Sequence, residues 1–165
     1  NLQGAKFKLL NSDQTKYARV DTTGKLNGWT TDETAATELE SDENGLFKVI
    51  GLDDGTYFLK ETLAPSGYNT LAEPIKVVIS ANTNNGQNGF GKTTELTTID
   101  VTVDNGSAKG GTVATGTVSI TVENNRGTTL PGTGGIGTTI FYVIGGGLMV
   151  AAAILLITKK RMENR

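Results

Sequence analysis

Residues 56–68 read TYFLKETLAPSGY. Side chains of an extended chain alternate faces, so a strand here places Tyr57, Leu59 and Glu61 on one side. Ala64-Pro65-Ser66-Gly67 ends that strand, because proline cannot donate to a sheet ladder and Pro and Gly favour turns. A glutamate on the apolar face needs a reason, since burying an unpaired charge is costly. The plain reason is a structural carboxylate held by backbone hydrogen bonds; the sharper one is chemistry at Glu61.

Working outward, the same short alternation recurs. Ala5, Phe7 and Leu9 fall on one face of a strand, and Lys6 and Lys8 on the other. Tyr17–Val20 reads as a strand closed by Asp21-Thr22-Thr23-Gly24, whereas Thr31–Glu40 carries both helix and strand signals. Asp42-Glu43-Asn44-Gly45 and Asp53-Asp54-Gly55 are turn signals ahead of strands Leu46–Ile50 and Thr56–Leu63. Ile75–Ile79 follows Pro74, and Asn82–Gly91 is a polar, glycine-rich loop. The runs Thr93–Val103 and Thr112–Asn124 close the domain, the latter placing Ile120, Val122 and Asn124 on one face. Short strands at this spacing predict an all-β sandwich. The 26 Thr and 22 Gly among 165 residues agree, Thr suiting pleated surfaces and Gly suiting turns.

Composition removes several function classes. There is no Cys and no His, so disulfides, thiol chemistry, Cys/His metal sites and a Ser-His-Asp relay are excluded. Net charge is −2, and the tail after Thr158 is +3, so the rest carries −5. An acidic exterior offers nucleic acid no electrostatic footing. Asp53-Asp54 reads as a turn, not a catalytic pair, since adjacent strand residues face opposite ways. Glu40, Asp42, Asn44 and Gly45 partly match an EF-hand loop, but its twelfth position is Gly51, which has no carboxylate. Asn105–Gly111 lacks the GK[ST] of a phosphate loop, and Trp29 reads as a packing or rim aromatic. No cofactor is implied.

The carboxyl end is organised differently. Thr138–Thr158 holds 21 residues without a charge, a helix of roughly 31 Å that would cross the bilayer core. Lys159, Lys160 and Arg161 follow it, which predicts a cytoplasmic C-terminus and an exported domain. Export without a visible signal peptide, and a start at Asn1 rather than Met, lead us to expect further sequence upstream.

Leu130-Pro131-Gly132-Thr133-Gly134, then an apolar span and a basic tail, resembles the LPXTG cell-wall sorting signal of Gram-positive surface proteins. The resemblance implies that sortase, a membrane transpeptidase, cleaves between Thr133 and Gly134 and links Thr133 onward. Pro131 fixes φ and lacks an N–H, which keeps such a pentapeptide out of regular structure. The span is then a temporary membrane tether.

Tyr57–Tyr68 also resembles the E-box, YxLxETxAPxGY, of CnaB-type immunoglobulin-like domains in sortase-assembled pilins, and Gly4–Leu9 resembles their GAxFxL strand. Such domains commonly form a Lys–Asn isopeptide bond assisted by a buried Glu. The resemblance implies Glu61 as proton shuttle, Asn124 (over Asn125) as acceptor, and a lysine on a strand upstream of this chain. The chemistry needs a neutral amine and a polarised amide, both favoured by apolar burial. Lys6 and Lys8 are the nearest lysines but face away from Phe7, so no bond is expected within this chain. The polymerising lysine of a shaft pilin is also expected upstream.

The expected organisation is a CnaB-type sandwich over residues 1–127, a linker with the sorting motif at 128–137, a transmembrane helix at 138–158 and a basic cytoplasmic tail at 159–165. The expected role is structural: a pilus subunit whose partners are sortase, neighbouring pilin subunits, peptidoglycan and, transiently, the membrane. The alternatives are the stalk of a wall-anchored adhesin, the spacer of a wall-anchored enzyme, and ligand binding through Asn82–Gly91.

Overall fold

The computed structural model describes residues 2–83, 96–126 and 136–145. Its strands are β1 (Lys6–Leu10), β2 (Tyr17–Val20), β3 (Leu26–Thr30), β4 (Leu39–Glu40), β5 (Leu46–Leu52), β6 (Gly55–Leu63), β7 (Ile75–Thr83), β8 (Leu96–Val103), β9 (Lys109–Gly110), β10 (Thr117–Asn125) and β11 (Ile136–Gly145). The larger sheet runs β3-β2-β1-β6-β7-β8-β9, with β4 also paired to β1, and the smaller runs β10-β11-β5. The expected all-β sandwich is what the chain forms.

Alternation sets the interior. Ala5, Phe7 and Leu9 are fully or almost fully buried, as are Leu59, Val77 and Val101 of the larger sheet. Val49 and Leu52 of β5 and Val118, Ile120 and Val122 of β10 meet them from the smaller one. Phe7 stacks on Phe47 with ring centroids 5.1 Å apart, joining the sheets at the centre. Lys6 and Lys8 lie on the outer face. Lys6 pairs with Glu38 at 3.7 Å, and Lys8 donates to the Glu33 carbonyl at 2.9 Å.

The ambiguous stretch Thr31–Glu40 contains both kinds of structure. Asp32 caps a single 3-10 turn, Glu33–Ala35, by accepting from the Thr34 N–H, and β4 follows. Thr37 Oγ1 accepts from Val20 N–H at 2.7 Å and donates to the Val20 carbonyl, fixing this excursion against β2. Strand β3 was not expected from the sequence. Trp29, on β3, is partly buried and stacks on Tyr57 with centroids 6.1 Å apart. Asn82 and Thr83 of the expected polar loop end β7, and the remainder of that loop lies outside the described residues.

Tyr57 donates its hydroxyl to the Asp53 carbonyl at 2.8 Å. Burial, with Asp53 and Asp54 nearby, pushes its phenol from 10.0 up to about 12. The folded state thus holds this proton more tightly than the unfolded chain does. Its stabilising contribution is complete below pH 10 and is lost as the pH rises through about 12. Denaturant titrations across that window should show Tyr57→Phe losing less stability than the parent; equal losses would refute the assignment.

The carboxyl end departs from expectation. The helix expected from Thr138 is not seen over its first eight residues: Ile136–Gly145 form β11, antiparallel to β10 and parallel to β5. The expected linker accordingly stops short of its last two residues. Residues 138–144 read TTIFYVI, rich in the β-branched and aromatic types that suit a pleated surface. Two open strand edges supply the backbone partners. Residues 146–158 and the basic tail lie outside the described residues, as do Leu130, Pro131, Gly132, Thr133 and Gly134.

Candidate functional site: a buried carboxylate and amide

Glu61 and Asn124 meet inside the sandwich. Glu61 lies on β6 opposite Phe7 of β1, and Asn124 is the penultimate residue of β10. They are 5% and 0% exposed, deeper than polar side chains usually sit. Alternation turns each of them inward: Leu59 and Glu61 share the inward face of β6, as Ile120, Val122 and Asn124 share that of β10. Asn125, one residue on, is exposed.

The turn after β6 completes the site. Tyr68 N–H bonds the Pro65 carbonyl at 3.0 Å, and Gly67 takes φ +87°, a left-handed conformation that glycine adopts without strain. The turn is strapped to the end of β10 by Asn69 N–H on the Asn125 carbonyl at 2.9 Å and by the Tyr68–Arg126 bridge. The Arg126 guanidinium lies over the Tyr68 ring, 5.5 Å from its centroid. The strap brings the Asn69 carbonyl and the Leu71 N–H into the interior. These two backbone groups escaped the sequence reading, because nothing in a side-chain pattern marks which main-chain groups a loop turns inward.

The hydrogen bonds are asymmetric. Asn124 Nδ2 donates to both Glu61 oxygens, at 2.9 and 2.8 Å, and to the Asn69 carbonyl at 3.1 Å. Leu71 N–H donates to Glu61 Oε2 at 2.8 Å and so fixes the carboxyl. The nitrogen has three acceptors for two hydrogens. By contrast, Asn124 Oδ1 is buried with no hydrogen-bond partner among the described residues. An orphaned buried oxygen costs free energy and calls for an explanation. Opposite Asn124 in the neighbouring strand stands Gly137, which has no side chain to donate.

Chemically, the arrangement sets a carboxyl against the amide nitrogen. A carboxyl within hydrogen-bonding distance of Nδ2 can hand that nitrogen a proton as it departs. Among the described residues no donor bonds the open oxygen. The described residues place no amine here, Lys6 and Lys8 being engaged on the outer face by Glu38 and Glu33. Among the described residues no group of acidic side chains could hold a metal ion.

The described residues form a two-sheet domain with a buried Glu–Asn pair, and comparison with known proteins places that domain in a class. Residues 1–93 match the SpaA prealbumin-like fold domain, and residues 122–164 match the LPXTG cell wall anchor motif. The chain therefore belongs to the SpaA prealbumin-like fold family, and its anchor motif assigns it to the cell wall and cell surface. Among solved structures it is similar to the pilus 2b backbone protein of group B streptococcus, with 31% identity over 56% of this chain and a TM-score of 0.39. The match covers 31% of that protein, so this chain corresponds to about a third of its length. No curated protein matches the chain.

Proposed function

We propose that the chain is the wall-proximal part of a pilus subunit, joined by sortase at Thr133 to its neighbours or to peptidoglycan, with Glu61 and Asn124 forming one half of an intramolecular cross-link. The observation that carries the cross-link is the buried amide whose nitrogen is held by a carboxyl while its oxygen has no partner. A neutral lysine amine delivered beside Asn124 attacks Cγ. The new C–N bond forms, the amide C–N bond breaks, and ammonia leaves with a proton relayed through Glu61. The residues here suffice for everything except the amine, which a strand upstream of Ala5 would bring.

The role is mechanical. A covalent tie from β10 to a preceding strand would stop the sheets separating when the chain is pulled from its ends. Wall anchoring follows from the motif at Leu130–Gly134, and the SpaA-type domain supports a pilus subunit over an enzyme's spacer. The test is expression of the full-length protein with a pilus sortase. Detergent-resistant ladders of high mass are expected; monomer attached to peptidoglycan alone would favour the stalk of a wall-anchored adhesin.

A further inference from the structure

The smaller sheet has an unusual dependence. Its order is β10-β11-β5, so β10 and β5 do not pair with each other, and among the described strands β11 alone is bonded to both. The ladder is long: nine residue pairs from Thr117↔Ile144 to Asn125↔Ile136 on one edge, and six from Ile140↔Leu46 to Gly145↔Leu52 on the other. Withdrawing β11 would leave two rows of backbone groups without partners inside the domain.

The same residues are needed elsewhere. On the reading of residues 138–158 as the membrane span, the part beyond β11 is 146–158. As a helix those 13 residues reach only about 20 Å, against a hydrocarbon core of about 30 Å. With β11 docked, the remaining apolar stretch is too short to cross. With the span inserted, β11 cannot be in the sheet.

We propose that Ile136–Gly145 is an exchangeable strand. Docked between β10 and β5 it completes the sandwich and withholds the anchor from the bilayer. Released, it becomes the first half of the membrane span and vacates a slot beside Asn124. The inference rests on reading residues 138–158 as the membrane span, and for one route of cross-linking it adds an order of events. A lysine-bearing strand entering on the β11 side of β10 would take the place β11 holds, so by that route the cross-link forms only after the anchor has left the sheet. Closing the link then prevents the anchor from returning.

The absence of native cysteine makes the test direct. Residues opposed across an antiparallel pair have Cα atoms roughly 4.5–5.5 Å apart, within disulfide range. Glu123 is exposed and lies opposite Thr138, so the full chain with Glu123→Cys and Thr138→Cys should oxidise to an intramolecular disulfide in aqueous buffer. Thr121→Cys with Ile140→Cys, the pair one step inward on that face, is the second variant. Flotation with phosphatidylcholine–phosphatidylglycerol vesicles should find the oxidised chain unbound and the reduced chain bound. Reduced chain already in vesicles should not cross-link on oxidation. Failure of both pairs to cross-link in buffer, or equal flotation of oxidised and reduced chain, would overturn the proposal. If the reduced chain does not float, the membrane-span reading fails and takes the exchange with it, while the disulfide still reports docking.

Discussion

Glu61→Ala should cost this chain about 2–5 kcal/mol and, in the full-length protein, abolish the cross-link. Two donors lose the carboxyl together: buried Asn124 Nδ2 keeps only the Asn69 carbonyl, and the part-buried Leu71 N–H is left with nothing among the described residues. An orphaned buried donor costs about 1–3 kcal/mol, and the vacated space adds to that. Against a total stability of roughly 5–15 kcal/mol for an ordinary domain, the change is large. Glu61→Gln separates the two roles. It retains an acceptor and the side-chain volume, so much of the stability should return. The amide cannot pass a proton to the departing nitrogen, so the cross-link should not. Urea unfolding measures the first quantity and intact mass the second. A Gln variant that cross-links at the parental rate would remove Glu61 from the chemistry.

Thr133→Ala should eliminate covalent attachment to the wall, an all-or-none effect. The match to the anchor motif extends over residues 122–164 and includes Thr133, and the proposed acyl transfer breaks the peptide bond that follows it. With that bond retained, the apolar segment stays on the protein. The variant should therefore move from the cell-wall fraction to the membrane fraction, with no change in the thermal unfolding of the purified domain. Continued release with peptidoglycan after muralytic digestion would show that attachment does not run through Thr133.

Legibility in the sequence followed the reach of each signal. Period-two alternation acts within a strand, so β1, β2 and β6 and the inward facing of Phe7, Leu59, Glu61 and Asn124 could be read directly. The meeting of Glu61 with Asn124, 63 positions apart, came from a family resemblance and not from spacing, because no local pattern encodes which strands face each other. Strand β3 was missed because Gly28 interrupts its short run LNGWT and weakens the strand signal. β11 was read as helix because hydropathy reports how apolar a segment is, not which partner it finds. Its TTIFYVI run satisfies both a bilayer and an open sheet edge. The Asn69 and Leu71 main-chain contacts lie beyond any side-chain reading, since they follow from the turn at Pro65–Tyr68.

On the proposed cross-link, Asn124 is a reactive amide awaiting a lysine. This is tested most directly by intact-mass spectrometry on two proteins, this chain and the full-length protein that contains it. This chain should have its full sequence mass. The full-length protein should be lighter by at least one ammonia, with a digest yielding a branched peptide that joins Asn124 to a lysine upstream of Ala5. A full-length protein in which the Asn124 peptide is recovered unbranched would contradict it, as would a branched Asn124 peptide from this chain alone.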